Sequence, residues 1–294
     1  MVEQIRLQNL TTSKSIELVN DLNAFILESV DWSTVDATHS TYKYINQIGV
    51  SIVNTALETR TVEIIGYVFG QSSAELLENK KLLNNFVNPQ QAIRLYYKDY
   101  YIDFNPSNSV RYGTTLAENN NLFCKFIING ICPQPLFNVD DKLQIDASTT
   151  LPMFHFPLII PPGGLVFGLK QTSSLIDVYN SGSVETGMLI IFKALSTCEG
   201  AKLTNANTLE FLKIDKTLSA GEVIKINTNV GQKSIIGKTY GGTEQNYYKY
   251  KTLDSVWLQL QPGDNLFRVD ATPSTALETS IQFANQYLEI QELD

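Results

Sequence analysis

The chain has 294 residues, of which 43% are hydrophobic and 18% are charged. This is an ordinary globular composition, and the length suits two domains that each bury their own core. The formal net charge of −8 argues against a protein that holds nucleic acid tightly, because binding to the phosphate backbone needs lysine and arginine to displace counterions. Aromatic residues make up 10% of the chain and favour β structure and large protein interfaces.

The sequence predicts neither a signal peptide nor insertion into a membrane. The N-terminus, residues 1–6, lacks a basic region followed by an apolar one, and no apolar run approaches the roughly 20 residues that span a bilayer. The most apolar stretch, Phe156 to Gly164, contains three prolines and two glycines, which rules it out as a helix. Cys124, Cys132 and Cys198 show no metal-like spacing and are expected to be reduced, buried small hydrophobes.

The first part of the chain carries several strand patterns. A strand is predicted from Ile5 to Asn9, and Leu18 to Leu27 fits either a strand or a short helix. Ile45 to Asn54 and Thr59 to Phe69 are predicted as two strands joined by a polar turn at residues 57–59. The second of these is the stronger prediction, because β-branched and aromatic residues recur in it near period two.

One helix is predicted after these strands. Ser72 is its expected N-cap, with Glu75 as the capping-box partner. Pro89 ends it, because the residue before proline is pushed out of the helical region. The strands predicted to follow are Ile93 to Tyr97, Tyr100 to Asn105, Val110 to Thr115 and Leu122 to Ile128.

The order of these elements resembles the N-terminal domain of phage distal tail proteins, the Dit family. Members show a strand ending in glycine, a helix closing on proline, an L-x-Y-x-x-Y-x-I strand and an F-x-I-x-x-x-C-x-x-P segment. The corresponding residues here are Gly70, Glu75 to Pro89, Leu95 to Ile102 and Phe126 to Pro135. A domain boundary is expected after Pro135, because the residues that follow are polar, acidic and rich in turns.

The second half resembles the C-terminal galectin-like β-sandwich of the same family. Short alternating strands are bounded there by glycine, proline or asparagine turns. The segments that carry the resemblance are Asp177 to Gly187, Asn207 to Ile214, Leu218 to Thr228 and Trp257 to Asn265. Trp257 and Leu260 are expected on the inner face of the sandwich, and Gly263 at a turn position that excludes a side chain.

No grouping of residues predicts catalysis. His39 lies in a polar loop and His155 between two phenylalanines, and neither is framed by a nucleophile or metalloprotease motif. The Asp140–Asp141 pair is adjacent in sequence, whereas a glycosidase needs two carboxylates facing each other across a cleft. We therefore expect a protein that is not an enzyme, with no catalytic, cofactor-binding or metal-binding residues and no cofactor.

The aromatic-rich segment from Tyr240 to Trp257 leaves an alternative function open. Flat aromatic side chains stack on sugar rings, and the Asn, Gln and Glu of this segment can bond hydroxyl groups. The competing interpretation is that Tyr248 and Tyr250 alternate along a strand and Trp257 anchors the core. The alternative function is therefore a protein that binds cell-wall carbohydrate.

The resemblance, which covers the chain from about residue 45 to its end, implies a mainly β fold. It implies an N-terminal split β-barrel-like domain with one α-helix, residues 1–137, and a C-terminal galectin-like β-sandwich, residues 138–294, with a linker or crossover at 138–152.

The same resemblance implies a structural protein of a phage or prophage virion, a baseplate hub that takes part in host attachment. A homohexameric ring at the distal end of the tail tube would join the tail tube protein to the tail-tip protein or tail-associated lysin, and would offer docking sites to receptor-binding proteins. The expected location is the tail tip of the virion, after synthesis in the host cytoplasm. Stable nucleic-acid binding and membrane insertion are not expected.

Overall fold

The computed structural model describes residues 4–21, 23–139, 143–146, 148–152, 168–172 and 175–290, with backbone alone at 148–152 and 168–172. The chain forms two compact units, Met1–Asp140 with Tyr287–Asp294, and Asp141–Gln286. The sequence predicted a second domain that includes residues 287–290, whereas in the structure these residues lie with the first unit. Tyr287 is buried in the core of that unit, which explains their position.

The described residues are mainly β with one α-helix, which confirms the predicted fold class. Around the helix α1 (Ser73–Phe86), the strands of the first part are β1 (Gln4–Asn9), β2 (Ser15–Val19), β3 (Phe25–Trp32), β4 (Ala37–Tyr42), β5 (Ser51–Leu57), β6 (Arg60–Phe69), β7 (Ile93–Tyr97), β8 (Tyr100–Pro106), β9 (Arg111–Tyr112), β10 (Phe123–Cys132) and β11 (Phe137–Val139). The later strands are β12 (Leu143–Asp146), β13 (Ser148–Pro152), β14 (Gly168–Thr172), β15 (Leu175–Asn180), β16 (Leu189–Ala194), β17 (Glu199–Asn205), β18 (Phe211–Lys213), β19 (Val223–Asn227), β20 (Ser234–Lys238), β21 (Glu244–Asn246), β22 (Gly263–Thr272), β23 (Leu277–Phe283) and β24 (Gln286–Tyr287). Two 3-10 turns lie at Tyr248–Tyr250 and Ser274–Ala276.

The main sheet of the first unit has the strand order β24-β11-β8-β7-β1-β2-β3-β6-β10-β9. β8 also pairs with β10, so the strands from β8 round to β10 form a closed circuit. Alternate side chains of a strand face opposite sides of a sheet, and on β6 this alternation buries Val62, Ile64 and Val68. Whether this domain is a split barrel of the family type stays a prediction.

The helix α1 begins and ends where the sequence predicts. The hydroxyl of Ser72 accepts a hydrogen bond from the backbone N–H of Glu75 at 3.3 Å. The Glu75 carboxylate accepts one at 2.8 Å from the backbone N–H of Gln71, the residue before Ser72, whereas a capping box would use the N–H of Ser72 itself. Leu83 and Phe86 lie on the buried side of the helix and join the core of the unit.

Two strand predictions in the first unit are wrong. Residues 18–27 form neither one strand nor a helix, because β2 ends at Val19 and β3 begins at Phe25. Residues 45–50 are not a strand, whereas residues 37–42, predicted as a polar loop around His39, form β4 and pair with β5. All six residues of β4 are exposed, so no buried face imposes an alternating pattern on its sequence.

The second unit is a β-sandwich. One antiparallel sheet has the order β12-β23-β16-β19-β20-β21 and another the order β15-β22-β17-β18, while β13 and β14 pair separately. Side chains from both larger sheets share a single buried cluster, for example Phe192 and Ile226 from the first and Leu203 and Phe267 from the second. The galectin-like character of this sandwich stays a prediction.

The corner after Trp257 differs from the prediction at one residue. Leu258 and Leu260 are buried, at 1% and 0% exposure, whereas Trp257 is only partly buried. Trp257 packs against the same buried cluster as Leu260, while part of its side chain remains exposed. Gly263 has φ +90°, which confirms a turn position unfavourable to any side chain.

Replacing Leu260 by alanine should destabilise the second unit by about 2–5 kcal/mol, because it leaves a cavity in the sandwich core. The measurement is urea unfolding of the full chain, followed by Trp257 fluorescence in a Trp32→Phe background. Leu253→Ala is the matched control, because Leu253 is fully exposed. Equal unfolding free energies for the two variants would contradict the assigned packing.

The three cysteines should be unreactive in the native protein. Cys124, Cys132 and Cys198 are free thiols with at most 1% exposure, which confirms the predicted burial. Burial raises the pKa of Cys132 to about 12 and also raises the pKa of Cys198, which disfavours the reactive thiolate. Ellman's reagent at pH 8 should therefore label no thiol until denaturant is added, and all three afterwards. Rapid labelling of the native protein would refute this burial.

Candidate assembly surfaces

The hairpin formed by β4 and β5 is an apolar surface without a cover within the described chain. Its strands pair with each other in a sheet of their own. Eight large apolar side chains between residues 42 and 57 are exposed: Tyr42, Tyr44, Ile45, Ile48, Val50, Ile52, Val53 and Leu57. Contiguous exposed apolar residues of this kind mark interaction sites on soluble proteins.

The base of this hairpin is tied to the body of the first unit. The backbone N–H of Ser33 donates to the carbonyl of Thr61 at 3.0 Å, and the Ser33 hydroxyl accepts from the N–H of Thr61 at 3.0 Å. The N–H of Glu58 donates to the carbonyl of Asp36 at 2.8 Å. The two ends of the hairpin are therefore held together where strand β3 ends and strand β6 begins.

Arg60, the first residue of β6, reinforces this base. Its side chain is fully buried and lies over the ring of Phe137 at 4.6 Å. The guanidinium donates to the carbonyl of Leu288 and forms an ion pair with Glu289 at 3.3 Å. The C-terminal segment is thereby fastened beside the hairpin base, a role that the sequence analysis missed because the partners are more than 220 residues apart.

The outer face of β1, β7 and β8 combines arginine and tyrosine. The Arg6 guanidinium lies 4.1 Å from the centre of the Tyr96 ring, and Arg94 lies 4.0 Å from that of Tyr101. Two hydrogen bonds of 2.6 and 2.9 Å join Arg94 to Asp103, and this partner raises the pKa of Arg94. Arginine and tyrosine dominate the binding energy of many protein interfaces, so this face is a second candidate surface.

The net negative charge is concentrated in the first unit. That unit contains 17 acidic and 10 basic residues, whereas the second contains 13 and 12. On the main sheet, Asp31 and Glu63 are exposed cross-strand neighbours of like charge. Such a pair repels, which leaves a strongly negative surface spot.

The second unit encloses one ion pair near its core. Lys216 donates to Glu222 at 2.6 Å, and the Glu222 side chain is fully buried. Burial alone would raise the pKa of Glu222, but hydrogen bonds from Lys216, the N–H of Ser219 and the hydroxyl of Tyr247 lower it overall. Burial and the Glu222 contact raise the pKa of Tyr247 to about 12. This enclosed ion pair stabilises the turn between Lys216 and Glu222, and the buried carboxylate is not accessible to a substrate.

The aromatic segment from Tyr240 to Trp257 borders an open cleft. Tyr248 and Tyr250 belong to a 3-10 turn and not to a strand, so the alternation expected for them is wrong. Tyr248 is 52% exposed and its ring lies 5.9 Å from that of Trp257. A cleft of about 310 Å³ opens beside Tyr248 and is lined by residues of the paired strands β20 and β21.

The described residues show no group of three or more His, Cys, Asp or Glu side chains that could hold a metal ion. His39 bonds the Thr55 hydroxyl at 2.9 Å across the hairpin. His155, the Asp140–Asp141 pair and the stretch 156–164 lie outside the described residues. No helix in the described ranges is long and apolar enough to cross a membrane.

Comparison with known proteins points to one family. Residues 181–287 match the family model described as siphovirus-type tail component, C-terminal domain (SPP1 Dit). No curated protein matches the chain.

Solved structures share the fold over nearly the whole chain. The Dit protein of phage SPP1 is similar with a TM-score of 0.65 and 15% identity, over 96% of this chain and 98% of that one. A chain of the phage P2 baseplate in its activated conformation with Ca is similar with a TM-score of 0.51 and 13% identity, over 97% and 98%. Residues 181–287 thus match the model of a siphovirus-type tail component, and the chain shares the fold of the Dit protein of phage SPP1 over nearly its whole length.

Proposed function

We propose that this protein assembles as a homohexameric ring at the distal end of a phage tail tube and acts as the hub of the baseplate. In this role it joins the tail tube protein to the tail-tip protein or tail-associated lysin, and its second unit offers docking sites to receptor-binding proteins. The SPP1 relative is described as a paradigm of the hub adsorption apparatus in phages that infect Gram-positive bacteria, which supports this role. The function is geometric, and we assign no reaction to it.

The observation that carries the proposal is the exposed apolar hairpin. An isolated two-stranded sheet is marginally stable in water, and its free edges are available to another chain. Covering one of its isoleucines contributes about 1.5–3 kcal/mol, so several together can support a permanent contact. A hairpin that docks on a different surface of the next copy makes a head-to-tail contact, and such contacts form closed rings when the rotation closes.

We assign this contact to residues 42–57 and not to the neighbouring strand β6, although both segments are rich in apolar residues. In the structure Ile64 is fully buried within its own unit, so a charge there would unfold the protein instead of testing an interface. The apolar side chains that remain exposed lie in residues 42–57.

Charged substitutions in the hairpin should therefore dissociate the ring. Ile48 is fully exposed and Val53 is 66% exposed, so the double variant Ile48→Asp, Val53→Asp leaves the core untouched. Native mass spectrometry should show a shift from six subunits to one, with an unchanged β signal in circular dichroism. Leu253→Asp, at a fully exposed residue of the second unit, should keep the hexamer. A variant hairpin that still forms hexamers would refute its role.

The charge distribution suits a channel for DNA. The first unit, which we propose as the ring-forming one, carries nearly all of the net negative charge. A negative bore repels the phosphate backbone, so DNA slides through without being held. Glu58 and Glu63 are exposed and suit such a lining, whereas Asp103 is paired with Arg94 and does not.

The assembled protein should accordingly show no binding to duplex DNA at physiological salt. A gel-shift titration with a short duplex tests this, because retained phosphate contacts would give a band that weakens as salt is added. A sub-micromolar, salt-sensitive affinity for duplex DNA would contradict the open channel. It would not bear on the oligomeric state, which native mass spectrometry tests separately.

A further inference from the structure

We propose that the cleft beside Tyr248 is a binding subsite for a neutral saccharide, a property that does not depend on ring formation. The cleft lies within the second unit and is lined by residues of β20, of the edge strand β21 and of the 3-10 turn that follows. Its lining residues are Lys233, Ser234, Ile235, Ile236, Glu244, Gln245, Asn246 and Tyr248. A volume of about 310 Å³ is at the small end of the ~300–1,000 Å³ range of ligand sites, which suits one or two sugar rings.

Tyr248 supplies the flat surface that a sugar ring needs. Half of its side chain is exposed, and its ring leans on Trp257 at an interplanar angle of 42°. The backbone N–H of Tyr248 donates to the side-chain oxygen of Asn246 at 2.8 Å, which fixes the start of the turn. The electron-rich face of this ring attracts the C–H groups of a pyranose.

Trp257 supports this surface from behind. Its side chain is partly buried. The ammonium groups of Lys233 and Lys251 lie 5.7 and 5.8 Å from the centre of its ring and help to hold it in place. Lys251 is held in place by hydrogen bonds to the carbonyls of Thr252 and Ser255. Its ring contact makes Trp257 a positioning residue for Tyr248, whereas the carbohydrate-binding alternative gave the aromatic side chains of this segment a stacking role.

The polar groups around the cleft match hydroxyl groups. The Asn246 amide uses its oxygen within the turn, which leaves its NH₂ group to donate, and Gln245 offers both a donor and an acceptor. The Glu244 carboxylate is an acceptor whose nearest ion-pair partner, Lys225, is 3.9 Å away with both side chains more than half exposed. Lys233 is a further donor at the cleft.

The charge balance of the cleft selects among polar ligands. Among the residues that line the cleft, Lys233 and Glu244 carry opposite charges, so the lining itself has no net positive charge to favour a phosphate or carboxylate. A ligand with many hydroxyl groups and no charge uses both donors and acceptors together with the aromatic face. Neutral saccharide meets all three conditions.

Saturation-transfer difference NMR on the full-length protein tests this proposal. The probes are glucose, galactose, rhamnose and N-acetylglucosamine at millimolar concentration. Irradiation of the protein should transfer magnetisation to the ring C–H protons of at least one of them. Tyr248→Ala should weaken that transfer about five- to tenfold, because it removes the stacking face, and Tyr248→Phe should retain it.

Tyr240→Ala is the matched control, because Tyr240 is 87% exposed in the same segment but does not line the cleft. This variant should bind like the natural protein, and circular dichroism should show all variants folded. Absence of transfer to every probe would overturn the proposal, as would transfer that survives in Tyr248→Ala. Complete displacement of the sugar by millimolar inorganic phosphate would also overturn it, because it would reveal an anion site.

Discussion

A two-stranded sheet has no inner side on which to bury its own side chains, and this constraint acts on the hairpin of β4 and β5. Its strands pair with each other, and eight large apolar side chains stay in contact with water. The first unit otherwise follows ordinary packing, with alternate residues of β6, β7 and β10 buried in one core. The hairpin is the part of that unit which a partner surface would complete, and assembly follows from this need for a cover.

The rest of the first unit holds the base of this hairpin in a fixed position. β6 starts at the hairpin base and pairs along its length with β3 on one side and β10 on the other. Arg60 joins the start of β6 to the returning C-terminal segment through Leu288 and Glu289. The second unit has a different character, with a closed sandwich core, nearly balanced charge and a small polar cleft. We therefore propose that the first unit serves assembly and the second unit serves recognition.

Much of the fold could be predicted because burial leaves a periodic trace in the sequence. β6 and the helix α1 with its Ser72 cap were predictable, since their buried residues recur at strand or helix spacing. The strand β4 was not, because an exposed strand has no buried face to impose a pattern. Arg60 and the clustering of Tyr248 with Lys233 depend on long-range contacts, which local periodicity does not record. The sequence predicted a buried Trp257, whereas this residue packs against the core with part of its side chain exposed, and local periodicity does not determine such an extent of burial.

The most direct test of this account is the mass of the intact natural protein in solution. Native mass spectrometry at micromolar concentration should show a single species of six times the 32.9 kDa subunit mass, because each hairpin covers its apolar residues on the next copy round a closed ring. A monomer that stays soluble at that concentration would contradict the account, since it would show that the exposed hairpin needs no partner copy.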